Sequence, residues 1–142
     1  MKIVVLKFGG TSVGTIEKIK KVTDIIIEHK KKRNKVIVVS SAMSGVTNDL
    51  IKKSKQISNN FIDSEYDVLV SSGEQVACSL IAGRLNHKGF KSRSWLGWQI
   101  PIFTNGPYTN SRIQQVNKNK LLRFLKEGGI PIITGFQGVN MN

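Results

Sequence analysis

The residues from Lys2 to Gly14 read K-I-V-V-L-K-F-G-G-T-S-V-G, and no other stretch limits the fold as tightly. An apolar run, Ile3 to Leu6, ends at Lys7. Gly9 and Gly10 follow at once, then Thr11 and Ser12, and a helical pattern sets in near Thr15. This order predicts a strand that delivers a lysine and a glycine turn to the start of a helix. Helix starts leave backbone N–H groups unpaired and carry partial positive charge. Glycine lets an anion approach the backbone with no Cβ in the way. The Lys7 ammonium adds a point charge for phosphate oxygens. The corner therefore suits phosphate. It fits neither G-x-x-x-x-G-K-[ST] nor G-x-G-x-x-G, so a tight turn with a snorkelling surface lysine stays open as the plainer reading.

Periodicity extends the pattern. Ile16, Ile19, Val22 and Ile26 predict a helix over residues 15–32. Lys35 to Ser40 (K-V-I-V-V-S) is apolar on both faces, as a central parallel strand should be. Strand, helix and strand form a βαβ unit. A loop of small residues follows, Ser40-Ser41-Ala42-Met43-Ser44-Gly45, with Thr47 or Asn48 as cap for a helix running to about Asn59. Residues 60–66 read as loop, and Tyr66 to Ser72 reads as either a short strand or a helical turn. A helix is clear from Gly73 and ends at Lys88-Gly89. Two short strands are expected at Lys91–Trp95 and Gln99–Thr104, then a turn at Asn105-Gly106-Pro107, a helix over 117–127 and a strand from Ile130 to Thr134. The fold class is α/β with a mostly parallel central sheet.

Three loops then share a design. Phe8–Gly14, Ser41–Thr47 and Gly135–Gly138 each follow the carboxyl end of an apolar strand. Open parallel sheets bind ligands at that edge. Phosphoryl transfer asks a protein mainly for positioning and charge neutralisation. Lys7 with the Gly9 and Gly10 amides suits phosphate oxygens. Ser41 and Thr47 offer hydroxyls to a substrate, or simply cap a helix. Glu74, after Ser71-Ser72-Gly73 at an expected helix start, is either a dipole-favoured carboxylate or the acceptor of a substrate ammonium.

Composition narrows the classes. At 142 residues the chain is the size of one domain. No apolar run approaches the roughly 20 residues that span a bilayer. The first apolar run is too short for a cleavable signal, so no membrane role and a cytoplasmic location are expected. The single Cys78 sits in an apolar helical stretch beside Ala77 and Leu80, where a buried thiol is ordinary. The formal charge of +13 invites nucleic acid, but its distribution argues against a specific complex. Lys30, Lys31, Lys32, Arg33 and Lys35 cluster at a helix end, where cations complement the dipole. Aromatic residues do not alternate with the lysines. His29 and His87, near expected helix ends, make no metal set, so no protein-held metal is expected. Trp95 and Trp98 read as packing residues.

With these residues assembled, the chain resembles the aspartate kinases of the amino-acid kinase superfamily. The resemblance rests on Lys7-Phe8-Gly9-Gly10-Thr11-Ser12-Val13, Val39-Ser40-Ser41-Ala42-Met43-Ser44-Gly45-Val46-Thr47-Asn48, Ser72-Gly73-Glu74 and Thr134-Gly135-Phe136-Gln137-Gly138, in family order along essentially the whole chain. It implies a three-layer αβα sandwich and ATP-dependent phosphorylation of the L-aspartate side chain to 4-phospho-L-aspartate, the first step toward diaminopimelate, lysine, threonine and methionine. It implies that Lys7, Phe8, Gly9 and Gly10 serve the ATP phosphates, with Lys7 catalytic. It likewise implies that Ser41, Thr47 and Glu74 serve aspartate, and that Mg2+ arrives with ATP. Family members continue into a G-R-G-G-S-D-type segment, a nucleotide-base half and ACT regulatory domains. Residues 1–142 correspond to the N-terminal part of the kinase domain alone. The expectations are little or no activity for this polypeptide by itself, an uncovered sheet edge, and activity with a complementary chain. Acetylglutamate, glutamate and uridylate kinases share the lysine–glycine corner, and a non-catalytic binding module or remnant is the rival outside the enzyme class.

Overall fold

The computed structural model describes residues 2–140, so both ends of the expected 1–142 unit lie outside the described residues. Strand β1 (Ile3–Phe8) leads through α1 (Ile16–Lys31) to β2 (Lys35–Ser40). Helices α2 (Val46–Ile57) and α3 (Asp63–His87) follow, then β3 (Ser92–Trp95), a hairpin of β4 (Ile102–Asn105) and β5 (Arg112–Val116), α4 (Asn119–Lys126) and β6 (Ile130–Thr134). The main sheet has the order β1-β2-β6-β3, and all its pairings are parallel. Central β2 buries alternate residues fully and half-buries the rest, which explains its apolar run on both faces.

Two cores make the layers. On one face α1 and α3 cover the sheet, with Ile19, Val22 and Ile26 of α1 and Ala77, Ile81 and Leu85 of α3 packed on Val36, Val38, Ile130 and Ile132. On the other face Leu121 and Phe124 of α4 pack against Trp95, Ile100, Ile102 and Ile133. Helix α4 covers only the β6 side of that face. Over edge strand β1 the same face is open, and Ile3 and Val5 are 47% and 61% exposed. The expected three-layer αβα sandwich is present, with one layer partial.

Four expectations change. Helix α3 is continuous over 25 residues, so Tyr66 to Ser72 is helical and Gly73 lies inside a helix rather than at its start. Val70, Gly73, Ala77, Ile81 and Leu85 keep helical spacing beneath that stretch, and packing overrides the low propensity of its valines, serines and glycine. Gly73 is there for closeness: a Cβ would lie 2.9 Å from Val46 Cγ1 at the start of α2. Strand β5 is wholly exposed and shows no alternation to betray it. Residues 97–101 form turns, which delays β4 to Ile102. Trp95 packs edge-on against Phe124 at 5.7 Å, whereas Trp98 is 65% exposed and is no packing residue.

Candidate active site

The parallel sheet brings the three loops to one edge. Lys7 and Phe8 pair with Val39 and Ser40, so β1 and β2 end side by side, and Ser40 pairs in turn with Thr134 of β6. Ser41 N–H donates to the Phe8 carbonyl (3.0 Å) and Gly135 N–H to the Ser40 carbonyl (3.1 Å). Gly10 and Gly14 pack on the second loop: a Cβ at Gly10 would lie 3.0 Å from the Ala42 carbonyl oxygen, and one at Gly14 3.0 Å from Ser44 Cβ. A Cβ at Gly9 would meet nothing within 4 Å, leaving its backbone open to a ligand.

Lys7 and Phe8 divide by the strand's alternation. Lys7 is exposed, on the face bearing Ile3 and Val5. Phe8 packs against the core under α1 and α3, so only its backbone can serve a phosphate. The glycines also do not abut the helix: Thr11 to Thr15 intervene before α1 begins. The α1 N-terminus is capped by its own side chains. Thr15 Oγ1 accepts from Lys18 N–H (3.2 Å). Backbone and Thr15 hydrogen bonds hold the Glu17 carboxyl below the usual range. The Gly9 and Gly10 amides therefore belong to the loop and not to the first turn of α1. Sequence reading missed Lys18, whose Nζ donates to the Thr11 carbonyl (3.0 Å) and ties α1 to the glycine loop.

Neither Thr47 nor Asn48 caps α2. Gly45 does so in a left-handed conformation (φ 85°) without a side-chain hydrogen bond. Thr47 falls in the first turn, half-buried, and Ser41 is half-buried at the end of β2, so both hydroxyls stay at the loop edge.

Glu74 is the buried charge of the edge. It sits mid-helix on α3, so the helix dipole does not explain it. It is 9% exposed, and burial raises its carboxyl above the ordinary value, offset in part by the N–H groups of Ala42 and Gly135. Its Oε2 has no hydrogen-bond partner among the described residues. A Cβ at Gly135 would lie 2.5 Å from that oxygen, so glycine there makes room for the carboxylate. One turn on, the Cys78 thiol donates to the carbonyls of Ser40 (3.9 Å) and Ile133 (3.5 Å). Burial, helped by Glu74, pushes that thiol up to about 12, which agrees with a packing role.

The third loop is fastened from the side: Gly97 N–H donates to Gln137 Oε1 (2.8 Å). Phe136 adopts φ 50°, a left-handed conformation rare outside glycine, and is 58% exposed. No group of three or more His, Cys, Asp or Glu side chains fit to hold a metal ion occurs among the described residues. No described helix is long and apolar enough to cross a membrane.

The sequence is 48% identical over 139 residues to an aspartokinase of Geobacillus stearothermophilus, covering 98% of this chain and 34% of the relative. It is 44% identical over 143 residues to an aspartokinase of Rickettsia conorii, covering 99% and 36% respectively. The chain thus spans about a third of the length of the curated relatives it matches. The crystal structure of an aspartate kinase from Synechocystis superposes with a TM-score of 0.80 at 37% identity, over 98% of this chain and 22% of that one. E. coli aspartokinase III, solved in complex with aspartate and ADP, superposes with a TM-score of 0.82 at 21% identity and shares the fold. The amino acid kinase family profile matches residues 2–142. With three glycine- and hydroxyl-bearing loops joined at the carboxyl edge of a parallel sheet, the chain belongs to the amino acid kinase family.

Proposed function

We propose that this chain is the aspartate- and phosphate-binding part of an aspartate kinase that transfers the γ-phosphoryl group of ATP to the side-chain carboxylate of L-aspartate. The carrying observation is the buried Glu74 Oε2, without a hydrogen-bond partner among the described residues, between the second and third loops. Two backbone N–H groups only partly offset the burial of this carboxylate, a buried charge without a counter-ion is costly, and a substrate ammonium would offset the rest. The named activities of relatives up to 48% identical support aspartate as the substrate.

In this reading the carboxylate oxygen of aspartate attacks the γ-phosphorus, the bond to the β,γ-bridging oxygen breaks, and ADP leaves with the electron pair. Exposed Lys7, the unobstructed Gly9 backbone and the Gly10 amide beside it hold phosphate oxygens and neutralise charge as it shifts. Phe8 contributes its backbone at the strand end. Ser41 and Thr47 donate hydroxyl hydrogen bonds to aspartate, and Glu74 receives its ammonium. Magnesium, entering on the nucleotide, supplies charge neutralisation of the phosphates. The product, 4-phospho-L-aspartate, is an activated acyl phosphate, fit for the biosynthesis of lysine, threonine and methionine in the cytoplasm.

Residues 1–142 act as the N-terminal part of the kinase domain. The open face of β1 is where the region corresponding to the remaining length of the relatives packs. The test assays the purified chain with ATP, magnesium and aspartate, alone and mixed with the remaining two-thirds of the Geobacillus stearothermophilus aspartokinase. The reading expects turnover in the mixture and little alone. Activity with glutamate or acetylglutamate in place of aspartate would overturn the substrate assignment.

A further inference from the structure

The opposite, amino-terminal edge of the sheet carries a feature that phosphoryl transfer does not use. There the turn between α1 and β2 and the turn between α4 and β6 flank a cleft of about 450 Å3. Lys30, Arg33, Lys35 and Lys126 line it with the Asn34 amide, and no acidic residue does. The volume lies within the usual range of small-molecule sites, about 300–1,000 Å3.

Helix dipoles explain the cations only in part. The C-terminal ends of α1 and α4 each supply roughly half a negative charge, about one in total against four full positive charges. Side chains do not supply the rest. The ion pairs among the described residues are Arg84–Asp24 (3.7 Å) and Lys91–Glu127 (2.7 Å), and neither includes a cation of the cleft. Glu127, next to Lys126 in sequence, is committed to Lys91. Lys30 and Lys35 are both half-buried. Burial and the charge of Lys35 hold the Lys30 ammonium below its usual range, the sign of cations crowded without a counter-charge. Both turns beside them hold a left-handed residue: Arg33 at φ 59° and Gly128 at φ 82°.

We propose that this cleft binds a small anion bearing two or more phosphate groups, at a site separate from the three-loop edge. Four cations, Arg33 in a turn and Lys30, Lys35 and Lys126 at the element ends beside the two turns, match several phosphate oxygens at once, and Asn34 adds a neutral donor. The site lies a full strand length from Lys7, about 15–20 Å. It shares no residue with the three-loop edge.

Calorimetric titration of the whole chain with inorganic tripolyphosphate at about 0.15 M salt tests this, a concentration at which exposed charges are largely screened. One equivalent should bind. Lys30→Gln with Lys35→Gln should weaken binding at least tenfold, while the charge-matched control Lys52→Gln with Lys53→Gln on α2 should change it less than twofold. In the unsubstituted chain, amide NMR shifts should move at Arg33 and Gly128 and not at Gly9 or Gly10, which guards against misfolded variants. No saturable binding, equal weakening in both pairs, or shifts centred on Gly9 and Gly10 would overturn the proposal. So would cleft-dependent binding of a single-stranded oligonucleotide that tripolyphosphate does not displace.

Discussion

Glu74 combines two demands. Its carboxyl is held above the usual carboxylate range in the fold because burial disfavours the charge. Between the unfolded and the folded value the native state holds more protons, so stability falls as pH rises through that window and stays lower at neutral pH. Glu74→Gln should therefore raise the melting temperature at pH 7, on the order of a few degrees, and leave it unchanged well below pH 4. Calorimetric melting at both values checks the sign. In the complemented enzyme the same change should raise the KM for aspartate, since the ammonium loses its carboxylate. Gly135→Ala should act there too, because its Cβ would lie 2.5 Å from Glu74 Oε2 and push the carboxylate aside. Because that oxygen ends a flexible side chain, the stability cost should be small in denaturant titration and the effect should fall on the KM for aspartate. Lys7, Gly9 and Gly10 were legible because they end an apolar run. Glu74 was legible as a residue but not in its setting: the sequence reading put it at a helix start, and only the unbroken α3 shows it as a buried mid-helix carboxylate.

Among the elements, α3 shows why local reading stops short. Its stretch V-L-V-S-S-G carries residues of low helical propensity, and it is helical because α2 and the sheet pack along it. Strand β5 failed for the opposite reason: with every residue exposed, it has no burial pattern to read. Helices α1 and α4 and the strands of the main sheet kept their expected places, because each has a buried side with regular spacing. At Gly45 the N-cap of α2 needs a left-handed backbone. Gly45→Ala should cost about 1–2 kcal/mol in chemical denaturation and leave the α1 region unaffected. Thr47, freed from capping by that glycine, is expected to affect aspartate KM rather than stability when changed to Val.

For the whole molecule, the strand order decides the consequences. The sequence shows which segments form the main sheet but not that β1 lies at an edge with one face open, since that order follows from which helix covers which strand. Ile3 and Val5 on an edge strand invite another chain to pair or pack. The isolated chain should self-associate at high concentration, and Val5→Lys should reduce this in light scattering without lowering the melting temperature. The same variant should fail to complement the remaining two-thirds of a relative.

The central claim is that the ammonium at the end of β1, beside the Gly9–Gly10 turn, neutralises the phosphates during transfer. Its most direct measurement is the kcat of the complemented enzyme with Lys7→Met, with substrates saturating and complex formation verified. A fall of about a hundredfold to a thousandfold, with aspartate KM little changed, is the predicted result; an unchanged kcat would contradict it.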